Sequence, residues 1–225
     1  MRATMLLAPG NRIVRAVFVL LAGIHFSCAR EPSPKEIPIA DFIGTLEALS
    51  IKGDKVEAKT WMEAGDSNVL LISKIQKGEP CEKEYADSLF AYRLIKVSGK
   101  WSKVWEIKDF GPGPCKKIRF QKGTIRVFDI DGEGQSETLF FYSIAQDGAA
   151  PATLKMMFHL NGAKRPIRGK IPLTPDDSDA YEFQLDSLLL TAPKAIQAFA
   201  LNYWNQYVSR KYGDLIPNSP MDKTP

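Results

Sequence analysis

Residues 126–142 read RVFDIDGEGQSETLFFY, and this stretch predicts the fold class of the chain. Apolar residues on both sides of a glycine-rich turn predict two antiparallel strands joined by a tight acidic loop. Four acidic side chains stand at relative positions 1, 3, 5 and 9 of that loop: Asp129, Asp131, Glu133 and Glu137. Gly134 at position 6 allows the backbone to turn sharply. Calcium-binding loops place oxygen ligands around such a turn.

The acidic loop is therefore a candidate Ca²⁺ site. The five predicted ligands are Asp129, Asp131, Glu133, Gln135 and Glu137. Gln135 would contribute its main-chain carbonyl, and the other four would contribute carboxylate oxygens. A lone loop of this kind is expected to bind with Kd on the order of 10⁻⁴ M. It is not an EF-hand, because strands flank it and Phe140 occupies the position where that motif requires a bidentate glutamate. The alternative is a solvated turn whose carboxylates accept hydrogen bonds from backbone amides.

Turn residues recur along the chain and predict a mainly β (α+β) fold, an antiparallel sheet of short hairpin-linked strands. Asn161-Gly162 is the strongest hairpin signal, and Lys122-Gly123 predicts a second hairpin between residues 118–120 and 124–129. Residues 181–190 are expected to form the last strand.

The end of the chain changes to a helical period. Apolar residues recur at i, i+3, i+4 and i+7 from Ile196 to Val208. This spacing predicts an amphipathic helix over residues 193–211 that closes one face of the sheet. Residues 41–211 are predicted to form a single β-rich domain, followed by a loose tail at 212–225.

The first residues predict export. Arg12 and Arg15 precede the short apolar run Ala16–Ile24, and Cys28 follows it closely. A charged segment before an apolar run too short to span a bilayer is typical of a signal peptide, here residues 1–28.

Cys28 predicts a lipid anchor, because bacterial lipoprotein leaders are cleaved just before a cysteine that then carries the lipid. The proline- and charge-rich residues 29–40 are suited to a tether. This interpretation places the protein in the cell envelope, lipid-anchored at the outer membrane or periplasmic face. The alternative is ordinary cleavage after Ala29 and free secretion.

The charge balance of the chain bears on the class of partner that it binds. Residues 1–28 contain three arginines and no acidic residue, so the remaining chain carries 27 basic and 26 acidic side chains. This balance argues against nucleic acid as a partner, because binding nucleic acid needs a concentrated basic face.

The cysteines predict one covalent link. In an exported chain, Cys81 and Cys115 are candidates for one disulfide; two free buried thiols are the alternative.

Tryptophan and histidine residues offer weaker signals. Period two along residues 101–107 predicts Trp101 and Trp105 on one strand face, where they are candidates for stacking on sugar rings; packing in the core is the alternative. His159 is the only histidine after the leader, and it is expected at the surface or an edge. The sequence has no Gly-x-Ser-x-Gly, Walker-type or dinucleotide-binding motif.

Four segments together resemble a family of small exported Gram-negative proteins that are labelled surface polysaccharide biosynthesis proteins: WSKVWEIKDF, VFDIDGEGQSETLFFYS, ATLKMMFHLNGAKRPIRGK and ALNYWNQY. The resemblance implies a β-rich fold closed by a C-terminal helix and a link to the cell envelope. It implies no catalytic residues. The acidic loop also resembles the calcium loop of integrin-type β-propeller repeats, although Glu133 stands where that pattern has aspartate or asparagine.

These observations predict a non-catalytic binding or assembly module of the envelope, whose partners are a surface glycan or another envelope protein. One alternative is a carboxylate-dependent enzyme of surface-polysaccharide metabolism, in which the acidic run 176–179 faces the first acidic cluster. Another is a purely structural domain with a calcium-stiffened hairpin.

Overall fold

The computed structural model describes five stretches of the chain: residues 43–76, 86–111, 116–146, 149–172 and 181–216. Several predicted features lie outside these residues. They are the signal peptide, the tether, most of the C-terminal tail, the acidic run 176–179, and the three cysteines Cys28, Cys81 and Cys115.

The described residues form two antiparallel sheets. The first sheet has four strands in chain order: β1 (Asp54–Glu63), β2 (Asp66–Ile75), β3 (Ser88–Val97) and β4 (Lys100–Phe110). The second sheet contains the remaining strands: β5 (Lys116–Phe120), β6 (Arg126–Phe128), β7 (Glu137–Gln146), β8 (Ala149–Leu160), β9 (Ala163–Lys164), β10 (Ile167–Ile171) and β11 (Glu182–Leu185). The predicted mainly β, antiparallel class is confirmed.

The two sheets pack face to face, and a helix covers the outer side of each. On β7, Phe140 and Tyr142 point into a core shared with the first sheet, whereas Leu139 and Phe141 point to the opposite face. That opposite face packs against helix α3 (Lys194–Tyr212). The outer face of the first sheet packs against Leu46 of the short helix α1 (Ile43–Ala48). Strands with two buried faces explain why β7 reads as a continuous apolar run.

Helix α3 confirms the predicted closing helix, with bounds one residue later than expected. Its apolar stripe is buried against the second sheet, and Trp204 is its most enclosed large side chain, at 0% exposure. The Trp204 indole packs close to Gly169 of β10, where an added Cβ would lie 2.7 Å from Cζ2. The indole nitrogen donates to the Tyr181 hydroxyl at 3.2 Å, which satisfies the buried N–H group.

A polar clamp joins the two sheets. Tyr142 of β7 donates its hydroxyl to Asp109 Oδ2 of β4 at 2.5 Å, and Lys155 of β8 donates to the same oxygen at 2.6 Å. Burial opposes ionisation of Asp109, but the hydrogen bonds from Lys155 and Tyr142 outweigh it and lower the pKa of the carboxyl.

Two local predictions are wrong. Strands β5 and β6 do not form a hairpin around Lys122-Gly123; both pair with β7 and follow one another along the same side of it. Thr124 bridges the break, because its hydroxyl accepts from the Phe141 amide at 3.0 Å. The predicted last strand ends early, since Asp186 accepts from the Leu188 amide as an N-cap and starts the short helix α2 (Ser187–Leu190).

Candidate metal centre

The acidic loop begins where β6 and β7 separate. Phe128 pairs with Glu137, so Asp129 follows one strand while Glu137 starts the other. Two residues with φ of 75° and 83°, Gly132 and Gly134, turn the chain back on itself. As a result, carboxylate oxygens of Asp129, Asp131 and Glu137 all lie within 4.8 Å of one another.

Backbone amides of the loop hold each of these carboxylates in place. The Gly134 amide donates to Asp129 Oδ2 at 3.2 Å, and the Glu133 amide donates to Asp131 Oδ1 at 3.3 Å. The Ile130 amide donates to Glu137 Oε2 at 2.8 Å. The second oxygen of Asp129, Oδ1, is buried and has no hydrogen-bond partner among the described residues. A buried acceptor without a partner is costly, and a coordinated cation would satisfy it.

Glu137 carries the electrostatic signature of the site. Its side chain is 1% exposed, and burial is the main reason why its pKa is raised to about 7; Asp131 and Asp129 contribute through charge repulsion. The Ile130 amide opposes this effect only in part. A divalent cation at this point would reverse the repulsion and favour three ionised carboxylates.

The structure brings together three of the five predicted ligands. Glu133 and Gln135 are exposed, and Glu133 is not part of the cluster. The three gathered side chains offer hard oxygen atoms only, which fits calcium and does not fit the nitrogen- and sulfur-rich sites of zinc. A Ca²⁺ ion held here would need water or main-chain oxygens to complete six to eight ligands.

Sequence reasoning missed a contact that ties the loop to the first sheet. The Ser136 amide donates to Glu63 Oε2 at 3.0 Å, and Glu63 pairs with Arg93 at 2.6 Å. Burial raises the pKa of Glu63, but hydrogen bonds from Ser136 and Trp61, with the Arg93 charge, lower it overall. Glu63 precedes a glycine turn, a position at which side chains are often exposed. The linear sequence therefore gives no indication that Glu63 accepts a hydrogen bond from the Ser136 amide.

The predicted shared face for Trp101 and Trp105 is wrong. An extra residue, Val104, bulges from β4 between Lys103 and Trp105, and it shifts the pairing with β3 by one position. Trp101 therefore packs on the outer face of the first sheet, and Trp105 packs in the core between the sheets. The two rings form no common platform for a sugar.

The predicted surface position of His159 is also wrong. His159 is 6% exposed and stacks on Trp105, with ring centroids 4.3 Å apart. Burial, with smaller contributions from Arg93 and Lys164, lowers the pKa of His159 to about 4. The neutral imidazole therefore serves as an aromatic contact between the sheets.

Comparisons with protein-family models, with curated proteins and with solved structures found no match to this chain. Within the described ranges, none of the helices has both the length and the hydropathy that crossing a bilayer requires.

Proposed function

We propose that this chain is an exported, lipid-anchored protein of the cell envelope that acts by binding, and that its acidic loop holds a stabilising Ca²⁺ ion. Two observations carry the proposal: carboxylate oxygens of Asp129, Asp131 and Glu137 converge, and Oδ1 of Asp129 is buried without a hydrogen-bond partner among the described residues. Amides of the loop already orient the carboxylates, so the ion would find a largely formed site.

The calcium site would stiffen the end of the molecule where both sheets meet. Ser136 closes the acidic loop against Glu63, and Glu63 reaches Arg93 in the first sheet. A cation bound by residues on either side of the loop would restrain the hairpin and, through this contact, the neighbouring turn of the first sheet. Such a restrained end suits a module that binds a partner, because little entropy is then lost on binding.

Burial favours this role over the carboxylate-enzyme alternative at the same cluster. A general acid must reach the substrate; Asp131 is exposed, but Glu137, whose raised pKa would suit a general acid, is 1% exposed. A cation ligand needs no such access. The link to surface polysaccharide rests on the family resemblance, and the lipid anchor rests on the leader and Cys28.

The calcium role is tested by thermal unfolding of the full chain with Ca²⁺ or with a chelator. At a concentration about 100 times Kd, binding to the folded state alone stabilises by about 2.7 kcal/mol. For a protein of this size we expect the melting temperature to rise by about 5–10 °C. Asp131→Asn should abolish the rise, whereas Glu133→Gln, which removes an exposed charge of the same loop, should retain it. Equal melting temperatures with calcium and with chelator would contradict the proposal.

The anchor and the glycan link need separate measurements. Mass spectrometry of the membrane fraction should find a lipid adduct on the wild-type protein and none on Cys28→Ala. An unmodified mature wild-type protein would contradict anchoring. A glycan-binding screen with the purified chain should find retention of at least one surface saccharide. The absence of any retained glycan would favour the purely structural alternative.

A further inference from the structure

A second candidate site lies beside β5 and is lined by none of the residues of the acidic loop. A cavity of about 430 Å³ opens there, a volume within the range of small-ligand sites. Its floor is the edge of the core between the sheets and includes Val56, Leu89, Ile118 and Phe120. These side chains come from β1, β3 and β5, so the floor is apolar and built by both sheets.

The rim of this cavity is cationic. Four basic side chains line it, each from a different part of the fold: Lys74 on β2, Arg119 on β5, Lys122 in the following turn, and Lys211 near the end of α3. None of the described lining residues is a carboxylate. Residues 29–225 carry 27 basic and 26 acidic side chains, so the excess of positive charge around this cavity is local and not a property of the whole chain. We call the cavity and its rim the cationic cleft.

Lys211 is the most informative member of the rim. Its ammonium group donates to the side-chain oxygen of Gln121 and to the Tyr207 hydroxyl, the latter at 3.2 Å. Both acceptors are neutral. Burial, and then the nearby Arg119 charge, lower the pKa of Lys211. Because both of these acceptors are neutral, an anion in the cleft would give the exposed Lys211 ammonium a charge-assisted partner.

We infer that the cationic cleft binds an acidic saccharide, that is, a sugar that carries a carboxylate or a phosphate group. The anion would pair with Lys211 and Lys122, and a C–H face of the sugar ring would pack on the apolar floor at Phe120. The volume of about 430 Å³ suits one or two sugar rings. This inference rests on the proposed function, since it specifies the class of glycan that the module binds.

Calorimetric titration of the full chain tests the assignment with four probes: glucose 1-phosphate, glucuronate, glucose and inorganic phosphate. The two acidic sugars should bind, and both glucose and inorganic phosphate should bind more weakly. Lys211→Met keeps the apolar stem and should raise Kd for the acidic sugars roughly 10- to 100-fold. Lys122→Gln changes an exposed residue, and it should raise Kd about two- to five-fold without affecting the fold.

Lys170→Met is the matched control. Lys170 lies on β10, pairs with Glu182 at 2.6 Å and does not line the cleft, so binding should be unchanged. Equal binding of glucose and glucuronate would overturn the role of the anion. Inorganic phosphate that binds as tightly as glucose 1-phosphate would overturn the role of the sugar. Binding that is absent, or insensitive to both cleft variants, would overturn the site.

The outcome is separable from that of the calcium experiment. If the calcium-dependent rise in melting temperature is found and acidic sugars do not bind, the cationic cleft assignment alone fails. If acidic sugars bind through Lys211 but calcium has no effect, the cleft stands and the metal centre fails.

Discussion

Replacing Glu137 by glutamine is expected to stabilise the cation-free protein at alkaline pH. The wild-type carboxylate is enclosed beside Asp129 and Asp131, so its ionisation is unfavourable in the folded state. Glutamine has the same shape and is neutral. Its carbonyl oxygen can still accept the hydrogen bond that the Ile130 amide donates at 2.8 Å in the wild type.

The magnitude follows from the raised pKa. Below pH 4.5 the Glu137 carboxyl is protonated in both the folded and the unfolded chain, so its ionisation does not lower the free energy of unfolding. Between pH 4.5 and about 7 the unfolded chain releases the proton while the folded chain retains it, so the free energy of unfolding falls as pH rises. The difference between these pKa values corresponds to a loss of about 3 kcal/mol, and Glu137→Gln should avoid it.

Urea unfolding in the presence of chelator, at about pH 4.5 and about pH 8, measures the effect. The wild type should lose stability between the two conditions relative to Glu137→Gln. Glu133→Gln removes one negative charge from the same loop at an exposed position, and its pH profile should follow the wild type. Saturating calcium should reverse the ranking at alkaline pH, because the variant loses a ligand. Parallel pH profiles of wild type and Glu137→Gln would refute the reasoning.

Two further predictions concern the packing of the sheets. Gly169→Ala should lower the free energy of unfolding, measured in urea, by about 1–3 kcal/mol, because its Cβ would lie 2.7 Å from the Trp204 ring. Gly213→Ala is the control: its Cβ would lie 3.9 Å from the nearest atom, so stability should change little. His159 has its pKa lowered from 6.5 to about 4, so the wild type should lose up to about 3 kcal/mol as pH falls through this window. His159→Phe should keep an aromatic ring against Trp105 and remove that acid-dependent loss; an unchanged pH profile would contradict the assignment.

Local sequence signals predicted the antiparallel β class and the closing helix. Asn161-Gly162 forms the expected turn between β8 and β9, with φ of 47° and 76° at its two residues. The helical period from Ile196 to Val208 matched the buried stripe of α3. These features are set by nearest neighbours in the chain, and so the linear pattern contains them.

Features that depend on distant partners were not predictable. Nothing local indicates that β4 bulges at Val104, and that one residue moves Trp105 to the core side and gives His159 a stacking partner. The acidic spacing predicted the loop, but only the pairing of β6 with β7 determines that Glu137 reaches Asp129 and Asp131 while Glu133 does not. Lys74 and Lys211 line the same cationic cleft although they are 137 positions apart in the sequence, so no local pattern could predict the cleft.

The central claim, a cation held by the acidic loop, is tested most directly by calorimetric titration of Ca²⁺ into the chelator-treated full chain. We expect one site with Kd on the order of 10⁻⁴ M, and no such site in Asp131→Asn. A flat isotherm for the wild type, or the same isotherm for the wild type and Asp131→Asn, would contradict the claim.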